Sequence, residues 1–120
     1  MWKKICNIKQ LLPYQGVGSV FDDHQIALFL VPEEARIGSV KPDKSPRVFA
    51  VGNWDPISKA YVMSRGIVGN QGEELCVASP MYKQHFSLET GACLEVPEQS
   101  LRTWQDQIKN DEVWILSKQS

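Results

Sequence analysis

Short strand-like segments, separated by turn signals along the whole chain, constrain the fold of this sequence most. These segments are rich in β-branched and aromatic residues, and no stretch shows a sustained 3.6-residue apolar period with caps at both ends. The pattern predicts a mostly β fold, a sandwich or barrel with short helical turns. The predicted strands are Trp2 to Cys6, Val17 to Phe21, Gln25 to Val31, Arg47 to Val51, Leu75 to Ala78, His85 to Leu88, Leu101 to Ile108 and Glu112 to Leu116.

Turn residues indicate where the strands reverse. Asp22-Asp23-His24 and Asn110-Asp111 predict hairpins, because Asp and Asn tolerate the left-handed backbone that a tight hairpin needs. Glu89-Thr90-Gly91 predicts a third turn, in which Gly91 supplies a positive φ. Short helical turns are expected near Lys9 to Leu12 and from Ser58 to Arg65.

The chain is expected to form one domain over residues 1–120, because 120 residues can bury a core without disulfides or metals. The segment Pro32 to Pro46 is rich in proline and mixed charge and predicts a long surface loop, since strand-like sequence resumes directly after it. Two interpretations of this loop remain open: a contact surface for a partner, or a tolerated surface insertion.

Composition excludes several classes of protein. The 13 basic and 14 acidic residues give a net charge of -1, so a nucleic-acid binder is not expected. The longest apolar run, Ile26 to Val31, is far shorter than the roughly 20 residues of a membrane helix. The first ten residues do not resemble a signal peptide, and three cysteines exclude a full disulfide framework. We therefore expect a reduced, cytoplasmic protein with no membrane partner.

The soft side chains do not form a recognisable metal or catalytic site. No Cys-x-x-Cys pair or zinc-like spacing connects them, so no metal ligand is expected. Cys76 lies in a predicted strand and is interpreted as a buried structural thiol. A Cys93 and His85 pair could form in space, but a surface or core-edge histidine is the favoured interpretation. No catalytic residue is assigned. The residues concerned are Cys6, Cys76, Cys93, His24 and His85.

Nucleotide binding also lacks support in the sequence. Gly16-x-Gly18 runs into the strand-like Ser19-Val20-Phe21, whereas a dinucleotide site needs a helix N-terminus beside the pyrophosphate. The two glycines therefore indicate a turn.

The second half of the chain resembles a Rieske domain. Val48 to Pro56 resembles the strand and first cluster loop, and Glu74 to Tyr82 resembles the second strand and loop. His85 to Cys93 is similar to the family's Phe-x-Leu-x-Thr-Gly hairpin, and Leu101 to Ile115 to its closing two-strand ribbon. The resemblance implies a Rieske-like antiparallel β-sandwich or barrel.

The four cluster-ligand positions of that family carry other residues here. Asn53 and Asp55 stand where the first cysteine and histidine are expected, and Ser79 and Tyr82 where the second pair is expected. A Rieske centre needs two thiolates on one iron and two imidazoles on the other. We therefore expect no cluster and no cofactor in this chain, although an iron–sulfur carrier with unexpected ligands stays open as a rival.

Within the Rieske-like proteins, the chain resembles the small subunits of bacterial NAD(P)H-dependent nitrite reductases. The similar segments are Trp2 to Ile8, Leu11 to Pro13, Ser64 to Gly66, Val77 to Pro80 and Lys83 to Phe86. The resemblance implies a part in the cytoplasmic reduction of nitrite to ammonium, within nitrate assimilation. It also implies that FAD, sirohaem and a [4Fe–4S] cluster belong to a large catalytic subunit.

The same resemblance implies that this chain docks on the large subunit and supports it. The rival class is a Rieske-like adaptor or binding module of another multicomponent oxidoreductase.

A partner surface is expected where the two former cluster loops meet. Trp54, Pro80, Met81 and Tyr82 offer aromatic and apolar surface of the kind that dominates interfaces. Inward packing of Met81 and Tyr82 is an equal alternative. Asp55 and Ser79 are expected to satisfy backbone N–H groups of the loops.

Overall fold

Strands dominate the computed structural model, which describes residues 1–32 and 46–117. Two short 3-10 turns, Ile8–Gln10 and Met63–Arg65, complete the regular structure of this part. All but the two ends of the predicted loop from Pro32 to Pro46 lie outside the described residues. The strands are β1 (Trp2–Asn7), β2 (Gly16–Phe21), β3 (His24–Val31), β4 (Arg47–Gly52), β5 (Trp54–Asp55), β6 (Ala60–Tyr61), β7 (Ile67–Gln71), β8 (Glu74–Ala78), β9 (His85–Ser87), β10 (Thr103–Trp104), β11 (Asp106–Lys109) and β12 (Glu112–Leu116).

The strands form four small antiparallel sheets. A four-stranded sheet has the order β10-β4-β3-β2, and a three-stranded sheet has the order β1-β12-β11. A second three-stranded sheet, β7-β8-β9, and the two-stranded β5-β6 complete the set. Adjacent strands of these sheets run antiparallel. The predicted antiparallel β architecture with only short helical turns is confirmed.

The apolar run on β3 is buried from both sides. Its residues alternate between two cores: Ala27, Phe29 and Val31 face one, and Ile26, Leu28 and Leu30 face the other. A strand covered on both faces gains by being apolar throughout, because neither face is solvated. The first core also contains residues of β8 and β9, whereas the second contains Val113 and Ile115 of β12.

The predicted turns are present. Asp22 and Asp23 have φ of 48° and 65°, and Asn110 and Asp111 have φ of 54° and 61°. Consecutive positive φ values suit two-residue hairpins, whose twist then matches that of the flanking strands. Gly91 has a φ of 84°, as its predicted turn requires.

The first helical turn begins at Ile8, one residue before its predicted start. Its N-cap Asn7 accepts the Lys9 N–H at 2.9 Å, and the Gln10 side chain accepts the Asn7 N–H at 2.8 Å. This reciprocal arrangement is a capping box. No helix in residues 1–32 and 46–117 is both long and apolar enough to cross a membrane.

Several sequence-based assignments of secondary structure were wrong. Leu101 to Ile108 is not one strand, because β10 pairs with β4 while β11 pairs with β12 in another sheet. Only the end of Ser58 to Arg65 is helical, since Ala60–Tyr61 pairs with Trp54–Asp55. Strand β7 was missed, because it is an edge strand and its Gly69 and Asn70 are of types with low β propensity.

Candidate functional site

The fold brings together two loops that are far apart in sequence. The first, Asn53 to Pro56, follows β4, and the second, Ser79 to Gln84, follows β8. The Ser79 hydroxyl donates a hydrogen bond to Asp55 Oδ2 at 2.5 Å. Both residues are buried, with 0% of Asp55 and 1% of Ser79 exposed. We call these two segments the paired loops, and this buried bond connects them directly.

The remaining acceptor atom of Asp55 is used by the backbone that directly follows the first loop. Oδ1 accepts the backbone N–H of Ile57 at 2.8 Å and that of Ser58 at 3.3 Å. Burial alone raises the pKa of Asp55, but the hydrogen bonds from Ser79 and the two N–H groups outweigh it and lower the pKa below its ordinary value. Asp55 is therefore a carboxylate that is solvated by loop donors, as expected from the sequence.

Asn53 joins the first loop to the second 3-10 turn. Its Oδ1 accepts the Ser64 N–H at 2.7 Å, and its carbonyl oxygen accepts the N–H groups of Val62 and Met63 at 3.0 and 3.1 Å. Its own N–H donates to the Gln25 carbonyl at 3.0 Å. The side-chain oxygen of Asn53 thus accepts from the backbone of the second 3-10 turn.

The second loop closes on itself. The Ser79 N–H donates to the Gln84 carbonyl at 2.9 Å, and the Ser79 carbonyl accepts the Lys83 N–H at 3.0 Å. The Met81 N–H donates to Ser79 Oγ at 3.3 Å. With the backbone bonds turned inward, Met81 and Tyr82 are 53% and 60% exposed. The inward packing considered for these two side chains is not observed.

An aromatic pair extends the exposed surface of the paired loops. Trp54 is 42% exposed, and its ring meets that of Tyr61 edge-on, with centroids 4.9 Å apart. Pro80 is also exposed. Sequence reasoning missed Tyr61, because the two-residue strands that align it with Trp54 leave no periodic pattern. Trp54, Tyr61, Pro80, Met81 and Tyr82 are hereafter the loop surface.

The donor atoms of the paired loops do not fit a Rieske [2Fe–2S] cluster. Such a cluster takes two thiolates and two imidazoles, whereas the four matching positions carry an amide, a carboxylate, a hydroxyl and a phenol. Three of these side chains are buried and the Asn53, Asp55 and Ser79 oxygens are committed to protein hydrogen bonds. In the part of the chain that the structure describes, no three His, Cys, Asp or Glu residues are grouped to hold a metal.

The Cys93 and His85 pair considered from the sequence does not form a nucleophile and base. Glu95 lies between them: its Oε2 is 2.6 Å from His85 Nδ1, and its Oε1 accepts from Cys93 Sγ at 3.8 Å. His85 Nε2 contacts Gln71 at 3.1 Å. Both ring nitrogens of His85 are therefore engaged by other side chains.

Cys76 is the structural thiol expected from the sequence. It is 1% exposed, and burial, reinforced by the nearby charges of Glu74 and Glu95, raises its pKa to about 11. The group stays a thiol at neutral pH and lies buried on β8 between Leu75 and Val77.

Comparison with known proteins agrees with this architecture. A family model described as a Rieske-like [2Fe-2S] domain matches residues 1–116. The nitrite reductase (NADH) small subunit of Escherichia coli K12 is 37% identical over 114 residues, which cover 95% of each chain. The solution structure of the nitrite reductase [NAD(P)H] small subunit from Erwinia carotovora has a TM-score of 0.75 and 36% identity, and covers 99% of this chain and 83% of that one.

A larger protein contains a related segment. The nitrite reductase [NAD(P)H] large subunit of Klebsiella oxytoca is 35% identical over 118 residues, which are 98% of this chain but 11% of that protein. The same domain thus occurs both as a separate subunit and within a longer polypeptide. The chain belongs to the family of nitrite reductase small subunits and has a Rieske-like domain.

Proposed function

We propose that this chain is the small accessory subunit of a cytoplasmic NAD(P)H-dependent nitrite reductase, and that it docks on the large catalytic subunit. One observation carries the proposal: a domain at least 35% identical to this chain is a small subunit in Escherichia coli and a segment of the large subunit in Klebsiella oxytoca. Fusion holds two domains at a high effective concentration, which suits domains that act side by side.

The role we propose is structural, and the proposal includes that the chain has no redox centre of its own. The amide, carboxylate and hydroxyl oxygens of Asn53, Asp55 and Ser79 are all used in hydrogen bonds within the protein. FAD, sirohaem and a [4Fe–4S] cluster, all in the large subunit, would then carry the electrons. The small subunit would stabilise or order that subunit during the conversion of nitrite to ammonium.

The loop surface is the docking site that we propose. Trp54, Tyr61, Pro80, Met81 and Tyr82 are exposed, and large side chains of this type supply most of the binding energy at protein interfaces. The bond between Asp55 and Ser79 holds the two loops in one arrangement before the partner binds. Such preorganisation reduces the entropy lost on association.

Docking is tested by co-expression with the large subunit of the same organism. Trp54→Ala combined with Tyr82→Ala should weaken co-purification at least tenfold, because the contacts that both side chains would bury against the large subunit are lost. Leu12→Ala is the matched control. Leu12 is 57% exposed. Its neighbour Pro13 pairs with Leu30 near the C-terminal end of β3, whereas the first loop lies beyond the N-terminal end of that strand.

Nitrite-dependent oxidation of NAD(P)H by the large subunit is the second measurement. We expect it to fall when the small subunit is omitted, and to recover with the wild-type chain. Unchanged activity together with no complex would overturn the proposed function, and capture of a different oxidoreductase would favour the adaptor class.

The absence of a redox centre has its own test. Protein that is purified natively and without oxygen should be colourless above 350 nm and contain no stoichiometric iron or acid-labile sulfide. A brown protein with two irons and two sulfides per chain would show that the paired loops, or other residues, hold a cluster.

A further inference from the structure

A cleft of about 380 Å³ lies beside the loop surface and shares two residues with it. Its lining residues include Trp54, Tyr61, His24, Arg102 and Trp104. These residues come from the start of β3, the β5-β6 hairpin and the segment around β10. The cleft is therefore continuous with the proposed docking site through the edge-on aromatic pair.

The exposed Arg102 side chain is oriented in this cleft by a ring contact and a hydrogen bond. Its guanidinium carbon lies 5.0 Å from the centre of the Trp104 ring, and its Nη1 donates to His24 Nε2 at 3.0 Å. The His24 and Trp104 rings also contact each other, with centroids 5.9 Å apart. Trp104 is only 6% exposed, so the ring beneath the guanidinium is fixed by the core. A guanidinium that is positioned in advance loses less side-chain entropy when it binds a ligand.

Arg102 makes no ion pair with the residues that the structure describes. No carboxylate among residues 1–32 and 46–117 lies within 4.0 Å of it, although Asp23 also lines the cleft. Arg47, in contrast, pairs with Glu89 at 2.5 Å. A guanidinium has five N–H donors in a planar fork, of which His24 takes one. The chemistry complementary to the remaining donors is a carboxylate, which binds a guanidinium through two parallel hydrogen bonds.

We propose that this cleft receives a carboxylate-bearing segment of the large subunit, with an Asp, Glu or C-terminal carboxylate on Arg102. The inference rests on the proposed function and adds the partner chemistry to it. Aromatic side chains around an ion pair exclude water and strengthen it. Trp54 and Tyr61 would therefore contribute both to the apolar docking surface and to the environment of the charge.

The test measures the affinity of the purified small subunit for the large subunit by titration calorimetry. Arg102→Gln should weaken binding by tenfold or more, and should reduce the dependence of binding on salt concentration. The affinity of Arg102→Lys should lie between those of the wild type and Arg102→Gln, because lysine keeps the charge but lacks the planar fork of donors. Lys109→Gln is the control: it removes one exposed positive charge from β11, and its binding should match that of the wild type.

The outcomes separate this inference from the function on which it rests. If the wild type binds and Arg102→Gln binds equally well, the cleft does not receive a carboxylate of the partner, and the docking proposal stands. If the wild type itself does not bind, both proposals fail. Binding of sodium acetate at Arg102, seen by NMR, with unchanged affinity of Arg102→Gln for the large subunit would make the cleft a small-anion site and overturn the docking inference. An unchanged thermal midpoint of Arg102→Gln confirms that the variant is folded.

Discussion

Ser79 donates a hydrogen bond to Asp55 across 24 positions of sequence, and the bond lies wholly inside the protein. It connects the two loops that resemble the cluster-binding loops of Rieske domains. In a Rieske domain, side chains from both loops coordinate the cluster irons. Here a hydrogen bond between a hydroxyl and a carboxylate joins the two loops.

Ser79→Ala should destabilise the protein by about 1–3 kcal/mol, because it leaves Asp55 Oδ2 buried without its donor. Urea unfolding that is monitored by tryptophan fluorescence measures the free energy of unfolding. Ser100→Ala removes a hydroxyl from an exposed residue and should cost less than about 0.5 kcal/mol. Equal costs for the two variants would show that the bond to Asp55 contributes nothing particular.

The lowered pKa of Asp55 predicts a loss of stability in acid. Since the carboxylate is favoured in the folded state, its contribution is present above the ordinary value of 3.8 and is lost as the pH falls through the lower folded value. Asp55→Asn removes this proton linkage and retains an acceptor for the Ile57 N–H. The difference in unfolding free energy between wild type and Asp55→Asn should therefore shrink from pH 5 to pH 2. A constant difference across this range would contradict the prediction.

Asp106 should show the opposite dependence on pH. Burial, opposed by Arg47 and by the Ala50 N–H, raises its pKa to about 7. Asp106 binds its proton more tightly in the folded protein than in the unfolded chain. The stability that this protonation contributes is therefore present below pH 3.8 and is lost as the pH rises through about 7. Carboxyl ¹³C NMR should show a titration midpoint near 7 for this residue. Asp106→Asn should remove the corresponding decline in stability between pH 4 and 8.

Two glycines in different strands provide a matched pair of substitutions. A Cβ on Gly16 would lie 2.1 Å from the carbonyl oxygen of Ser64, whereas a Cβ on Gly69 would meet no atom within 4 Å. Gly16→Ala must therefore push β2 away from the second 3-10 turn and should cost about 1–3 kcal/mol. Gly69→Ala should be close to neutral. Because the Ser64 N–H also holds Asn53, Gly16→Ala should also shift the amide NMR signals of the first loop.

Much of the fold was predictable, because its signals are local. Positive φ at Asp22 and Asp23 follows from the preference of this residue type for left-handed backbone, and the apolar run on β3 indicates a strand that is covered on both sides. Strand β7 carries no such signal, since an exposed edge strand needs neither apolar residues nor a fixed alternation. The division of Leu101 to Ile108 was hidden for a related reason: the pairing partner, not the residue type, assigns each half to its sheet.

The site was predictable in chemistry but not in arrangement. Asn53, Asp55, Ser79 and Tyr82 were identified from their positions in two loop motifs, and their side chains already indicated that thiolate and imidazole ligands are missing. The exposure of Met81 and Tyr82 required the structure, because a closed loop can turn such side chains to either side. His24 and Arg102, 78 positions apart, had no common motif.

The amino-acid sequence by itself determined the strand-rich character of this protein, the places where the chain turns and the donor atoms at the former ligand positions. Only the tertiary structure decided that Asp55 meets Ser79, that Trp54 meets Tyr61 and that Arg102 rests on Trp104. The physical reason is the range of the interactions. Turn and strand preferences act between neighbouring residues, whereas hydrogen bonds and ring contacts across a core depend on sheets that form only when the whole chain has packed.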